Sequence, residues 1–240
     1  IACTPASAGH FVAATGATVE TPCTAGTFQP LAGQTSCNPA PAGSFVSMSG
    51  ATASSPCAMG SFQPLIGQAS CVLASAGHFV AGSGSPSEAP CSGGSFQPLT
   101  GQTSCIPAPA GSFVNTGAAT GAIPCSAGSF QPLTGQASCD PAPAGSFVSV
   151  AAAVTATPCS PGSYQPLTGQ TSCTPASPGF FVPGSGATTQ TACAPGFTSG
   201  AGATVCTPVT TTVVNITGVP AAANEGSPTG TTNFVFTLTR

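Results

Sequence analysis

The apolar positions of this chain fall at fixed places in a short unit that recurs from Ala6 to about Pro208. Each unit opens on alanine or cysteine, has a glycine three places on and an aromatic five places on. Units open at Ala6, Cys23, Ala40, Cys57, Ala74, Cys91, Ala108, Cys125, Ala142, Cys159, Ala176 and Cys193, 17 residues apart. The glycines run Gly9, Gly26, Gly43, Gly60 and onward, and the aromatics Phe11, Phe28, Phe45, Phe62 and onward, with Tyr164 once, each ring expected to be buried. The last unit is one residue short and carries Phe197 one place early. A second glycine, such as Gly33, Gly50 or Gly67, sits mid-unit.

Within a unit, "GSFQ" predicts a short strand, "PLTG" a turn and "QTSC" the returning strand. Proline presets the turn, and glycine supplies a conformation that side chains resist. Glycine and proline every few residues exclude helices. The expected fold is therefore all-β and disulfide-rich: an elongated array of ~17-residue β-hairpin units in a ~34-residue double repeat.

The 13 cysteines are spaced alternately 20 and 14 residues apart, except that the last gap is 13. In register, Cys23 aligns with Ala40 and Cys37 with Ser54, so both cysteines vanish together from every second unit. Joint loss is expected of residues that bond to each other, because a lone thiol would be left reactive. This pairs Cys23 with Cys37, Cys57 with Cys71, Cys91 with Cys105, Cys125 with Cys139, Cys159 with Cys173, and Cys193 with Cys206. Cys3 is then paired upstream or free. The rival scheme joins cysteines across the 20-residue gaps and leaves Cys206 over. Regular cysteines imply an oxidising, extracellular setting. No C-x-x-C occurs, and His10 and His78 are far apart in the sequence, so no zinc site is read.

The skeleton C-x-x-G-[ST]-[FY]…G-x-x-x-C resembles the cysteine-rich modules of ephrin-receptor-like and tumour-necrosis-factor-receptor-like repeats, over residues 6–208. The resemblance implies a rod-like ectodomain of small disulfide-tied modules. Alternate units depart from it by lacking both cysteines. The charged and aromatic surface with which such receptors grip protein ligands is also absent.

After Cys206 the text changes. Residues 209–240 read as the opening strands of an incomplete Calx-beta-like domain, an immunoglobulin-like β-sandwich, with "NEGSPTGTTNFVFTLTR" carrying the resemblance. Phe234, Phe236 and Leu238 alternate with Val235, Thr237 and Thr239, the pattern of a half-buried strand. Some members of that family bind calcium, which makes Glu225 a calcium candidate, although one carboxylate is a poor site. Asn215 opens an N-glycosylation sequon. Two exposed strand edges call for cover, by further chain or by a neighbouring copy. The opening "IAC" and the strand-like close suit a stretch of a longer secreted protein.

Charge narrows the functions. The chain has one Lys or Arg (Arg240) and four acids, Glu20, Glu88, Asp140 and Glu225. Phosphate has nothing basic to bind, so nucleic acid is excluded as a partner. No membrane span is present in the sequence. His10 and His78 share their units with Glu20 and Glu88, which stand where the second cysteine is lost. A histidine–carboxylate contact there is a weak substitute for a disulfide, and the plainer reading is histidine at an exposed site usually held by Ser or Thr. No nucleophile motif, phosphate loop or metalloprotease motif occurs, so no enzyme, catalytic residue or cofactor is read. The expected function is a secreted structural protein that forms a filament, sheath or stalk, with copies of itself as partner. The alternative is an adhesin or receptor-like ectodomain stalk whose binding part lies beyond these residues.

Overall fold

The computed structural model describes residues 4–210. Among them lie 24 strands of two residues each, joined as 12 two-stranded antiparallel sheets and no helix. The first four are β1 (His10–Phe11), β2 (Thr21–Pro22), β3 (Thr27–Phe28) and β4 (Asn38–Pro39), and the series runs to β24 (Thr207–Pro208). In the first sheet β1 pairs with β2, His10 opposite Pro22 and Phe11 opposite Thr21. The ladder continues one step, with the Cys23 N–H donating to the Gly9 carbonyl at 2.8 Å. The second strand contains proline in most units, and where it does not, in Val72–Leu73 and Thr191–Ala192, it is equally short.

The position of the returning strand corrects the sequence expectation. "QTSC" is not the return; the strand begins after the cysteine, as in Asn38–Pro39 and Ile106–Pro107. The backbone of this segment has other partners. The carbonyl of Gln34 accepts from the N–H of Val12 in the preceding unit at 3.1 Å. Cys37 meets Cys23 at the base of the hairpin, with Cα atoms 5.8 Å apart.

Neighbouring units are joined by a backbone ladder that repeats along the array. Gly9 N–H donates to the carbonyl of Gln29 at 2.8 Å, and Gly33 N–H to that of Ala6 at 2.7 Å. One unit on, Gly26 N–H donates to Val46 at 2.8 Å and Gly50 N–H to Cys23 at 2.8 Å. Alanine units and cysteine units use the same bonds. The opening residue is therefore buried in both: Ala40, Ala74, Cys57 and Cys125 are each 0% exposed.

A tighter contact joins each unit to the next but one. Gly9 has φ +83°, and a Cβ placed on it would collide with the carbonyl of Gly50. The same holds for Gly26 against Gly67 and for Gly94 against Gly135. This first glycine is needed twice over, for its left-handed backbone and for its missing side chain. The second glycine also has positive φ, yet at Gly33 or Gly135 a Cβ would meet only ordinary contacts. Alanine accordingly stands at two of these places, Ala118 (φ 55°) and Ala152 (φ 57°), at about 1–2 kcal/mol of backbone strain each.

The core is a thin file of opening residues, first glycines and the residue after each aromatic. That last place alternates between buried valine (Val46, Val80, Val114) in alanine units and buried glutamine (Gln29, Gln63, Gln97) in cysteine units. The aromatics, expected to be buried, are half-buried over this core, and Phe197 in the shortened unit is exposed. A unit only 17 residues long has no second layer to close over a ring.

These contacts predict the effect of two glycine substitutions. Gly94→Ala should destabilise the array by at least ~2 kcal/mol, from left-handed strain plus the clash with Gly135. Gly82→Ala, at an exposed glycine without positive φ, should be neutral or raise stability by up to ~1 kcal/mol. Differential scanning calorimetry of the two variants checks both signs.

Candidate functional site

The six disulfides join Cys23–Cys37, Cys57–Cys71, Cys91–Cys105, Cys125–Cys139, Cys159–Cys173 and Cys193–Cys206. The first cysteine of each of the first five pairs is buried and the second half-buried. Each bond ties the opening residue to the foot of its own loop, so the disulfides stand one per double repeat along the array. Cys3, Asn215, Glu225 and the Calx-beta-like strands lie outside the described residues.

In three alanine units a polar side chain closes the same gap without a covalent bond. Glu20 stands where a second cysteine would be and accepts from the Ser7 N–H and the Ser7 hydroxyl, both at 2.7 Å. Glu88 accepts from the Ser75 N–H at 2.6 Å, and the amide oxygen of Gln190 from the Ser177 N–H at 2.7 Å. The histidine–carboxylate contacts, the less favoured of the two sequence readings, are present but peripheral: His10 lies 3.8 Å from Glu20 and His78 3.9 Å from Glu88. The carboxylate's main partner is serine, which the sequence reading missed. The Ser7 N–H, then its hydroxyl, hold the Glu20 carboxyl below its ordinary range, with a smaller contribution from His10. Since the Ser7 hydroxyl donates to Glu20, its proton is directed away from His10. Among the described residues no three of His, Cys, Asp and Glu gather as a metal site.

The buried glutamines build a second feature. Gln29 donates through Nε2 to the Ser36 carbonyl at 2.8 Å and accepts at Oε1 from the Leu31 N–H at 3.2 Å. Gln63, Gln97, Gln131 and Gln165 repeat both bonds in their own units. Each loop is thus held from inside by one side chain, and a second glutamine, such as Gln102 to the Thr100 carbonyl at 3.0 Å, braces its outer turn. A leucine is held outward at the same place in every such loop. "FQPL" carried this information in the sequence, as a polar residue repeated beside an aromatic.

Two segments, residues 9–57 and 145–193, match the family model described as tyrosine-protein kinase ephrin type A/B receptor-like. Both run from the first glycine of an alanine unit to the opening cysteine three units on, and they share one register. No curated protein matches the chain. The disulfides and the receptor-like match point to an extracellular setting. No helix among the described residues is long and apolar enough to cross a membrane.

Two outcomes follow from these bonds. Gln97→Leu should cost about 2–4 kcal/mol, because the Ser104 carbonyl and the Leu99 N–H lose their partner; calorimetry against wild type measures it. Glu20 has a lowered folded pKa, so its clasp is in place above the ordinary glutamate value of 4.5 and is lost as pH falls through the folded value. The protection of the Ser7 amide, its exchange measured against the intrinsic rate at each pH, should therefore fall on acidification, and Glu20→Gln should make that protection independent of pH, since Gln190 makes the same bond.

Proposed function

We propose that this chain is a non-catalytic structural protein whose copies pack together into an extracellular filament or sheath. The observation that carries the reading is the surface. Three charged side chains, Glu20, Glu88 and Asp140, are spread over the whole described array, and none of them is basic. Ordinary soluble domains carry charge on about 25–35% of surface positions, and that charge keeps them apart. Here two arrays can meet over Ala, Ser, Thr, Gly and Leu with almost nothing charged to desolvate. Uniformity supports the same reading, because repeated self-contact needs equivalent units, whereas a ligand site needs one or two that differ. The two receptor-like segments favour a second reading, a receptor-like or adhesin stalk that holds a binding part away from a surface.

Electron microscopy of the oxidised chain across a concentration series separates the two readings. Filaments or sheets that grow with concentration are the expected result, and they should dissolve on reduction as the six disulfides open. Separate particles at every concentration would leave the stalk.

A further inference from the structure

The cysteine units and alanine units differ in what they show to solvent. In the first five cysteine units the loop after the buried glutamine is nearly invariant: Pro30-Leu31-Ala32-Gly33-Gln34, then Pro64-Leu65-Ile66-Gly67-Gln68, then Pro-Leu-Thr-Gly-Gln three times; the shortened Cys193 unit lacks it. In the alanine units the same place reads Ser47-Met48-Ser49, Ala81-Gly82-Ser83, Asn115-Thr116-Gly117 and Ser149-Val150-Ala151. One series of loops is constant and the other drifts.

Most of the constant loop is explained from within. The glutamines are used by the loop's own backbone, and the glycine's N–H and positive φ by the contact between units. The leucine side chain is not explained. Leu31, Leu65, Leu99, Leu133 and Leu167 are 62, 61, 61, 62 and 62% exposed. Only their backbone N–H is engaged, and any residue except proline supplies that. Five leucines held at one exposure, one per double repeat, contrast with the same place in the alanine units, which changes from Met48 to Gly82, Thr116 and Val150.

We propose that this leucine row is the face by which one copy of the chain docks on another, an inference that rests on the self-association proposed above. Three observations commit it to a second copy. The row has the period of the double repeat, and a second array is the partner certain to offer the same spacing. No loop in the series carries a charge, so a matching loop meets it without an ion to desolvate. The area is also of the right order. Each leucine shows on the order of 100 Å² of apolar surface, so five give roughly 500 Å² before their flanking prolines are counted. A standard interface takes about 800 Å² from each partner. One row is therefore a modest interface that grows with each repeat in register, which favours long parallel or antiparallel contacts over small closed ones.

The test uses the full oxidised chain. The variant replaces all five leucines by serine. Its control, Met48→Ser with Val150→Ser, removes exposed apolar side chains from the drifting series (73 and 62% exposed). Sedimentation velocity across a concentration series should show wild type and control associating alike, with the five-fold variant weakened at least ~100-fold. Resistance to protease without reductant confirms that the variant keeps the array. As an independent measurement, wild type grown with photo-reactive leucine should yield cross-linked peptides that join one Pro-Leu-Thr-Gly-Gln loop to another. Equal association of wild type and five-fold variant, or cross-links that avoid these loops, overturns the leucine row and leaves self-association standing. Wild type that stays monomeric at every concentration overturns both.

Discussion

The array rests on a missing methyl group. Where the first glycine of one unit faces a carbonyl of the next unit but one, there is no room for a Cβ. Because the backbones come that close, each unit touches two successors, and the chain becomes a continuous interlock instead of beads on a string. Hairpins of two-residue strands could not survive separately, since so few ladder bonds and half-buried rings cannot offset the conformational entropy of ordering a unit. Their stability is held in common, as in other one-dimensional repeat proteins.

The same constraint explains why cysteine can alternate with alanine. The opening position is buried in either kind of unit by the glycine-mediated packing, and alanine fills it as cysteine does. The covalent bond is then an addition to a site that is already formed. Every alanine unit between two cysteine units is hydrogen-bonded to both, so a disulfide in every second unit still leaves no unit far from a cross-link. Closure at the foot of the loop is accordingly graded: covalent in cysteine units, polar through Glu20, Glu88 and Gln190, and absent where Ser54, Ala122 and Ala156 stand.

What could be read from the sequence followed from periodicity. The hairpin unit, its double repeat and the all-β class are visible because the glycines and aromatics recur at fixed intervals. The return strand was misplaced by several residues because "QTSC" looks like a strand by position, while its hydrogen bonds go to the preceding unit, and pairing between units leaves no local mark. The aromatics were expected inside because aromatics usually are; with one thin layer available, the small residues took the interior. Gln29 and its equivalents were overlooked because a glutamine reads as surface unless its partners are known. Serine went unnoticed as the partner of Glu20 for the same reason: a backbone N–H has no letter in the sequence.

Internal bonds account for the proline-flanked turn, both glycines and both glutamines of the constant loop, and together they would hold that loop with alanine, serine or threonine in place of the leucine. In the alanine units the same place holds Met48, Gly82, Thr116 and Val150, so the fold accepts side chains of any size there. Folding therefore does not select the leucine, and in an almost uncharged surface an exposed leucine carries a standing risk of non-specific association. A side chain that the fold does not need, placed five times at the same exposure where it invites contact, is explained by the contact itself. The near-absence of charge and the leucine row are then two parts of one design: the first removes the barrier between copies, and the second fixes the register at which they meet.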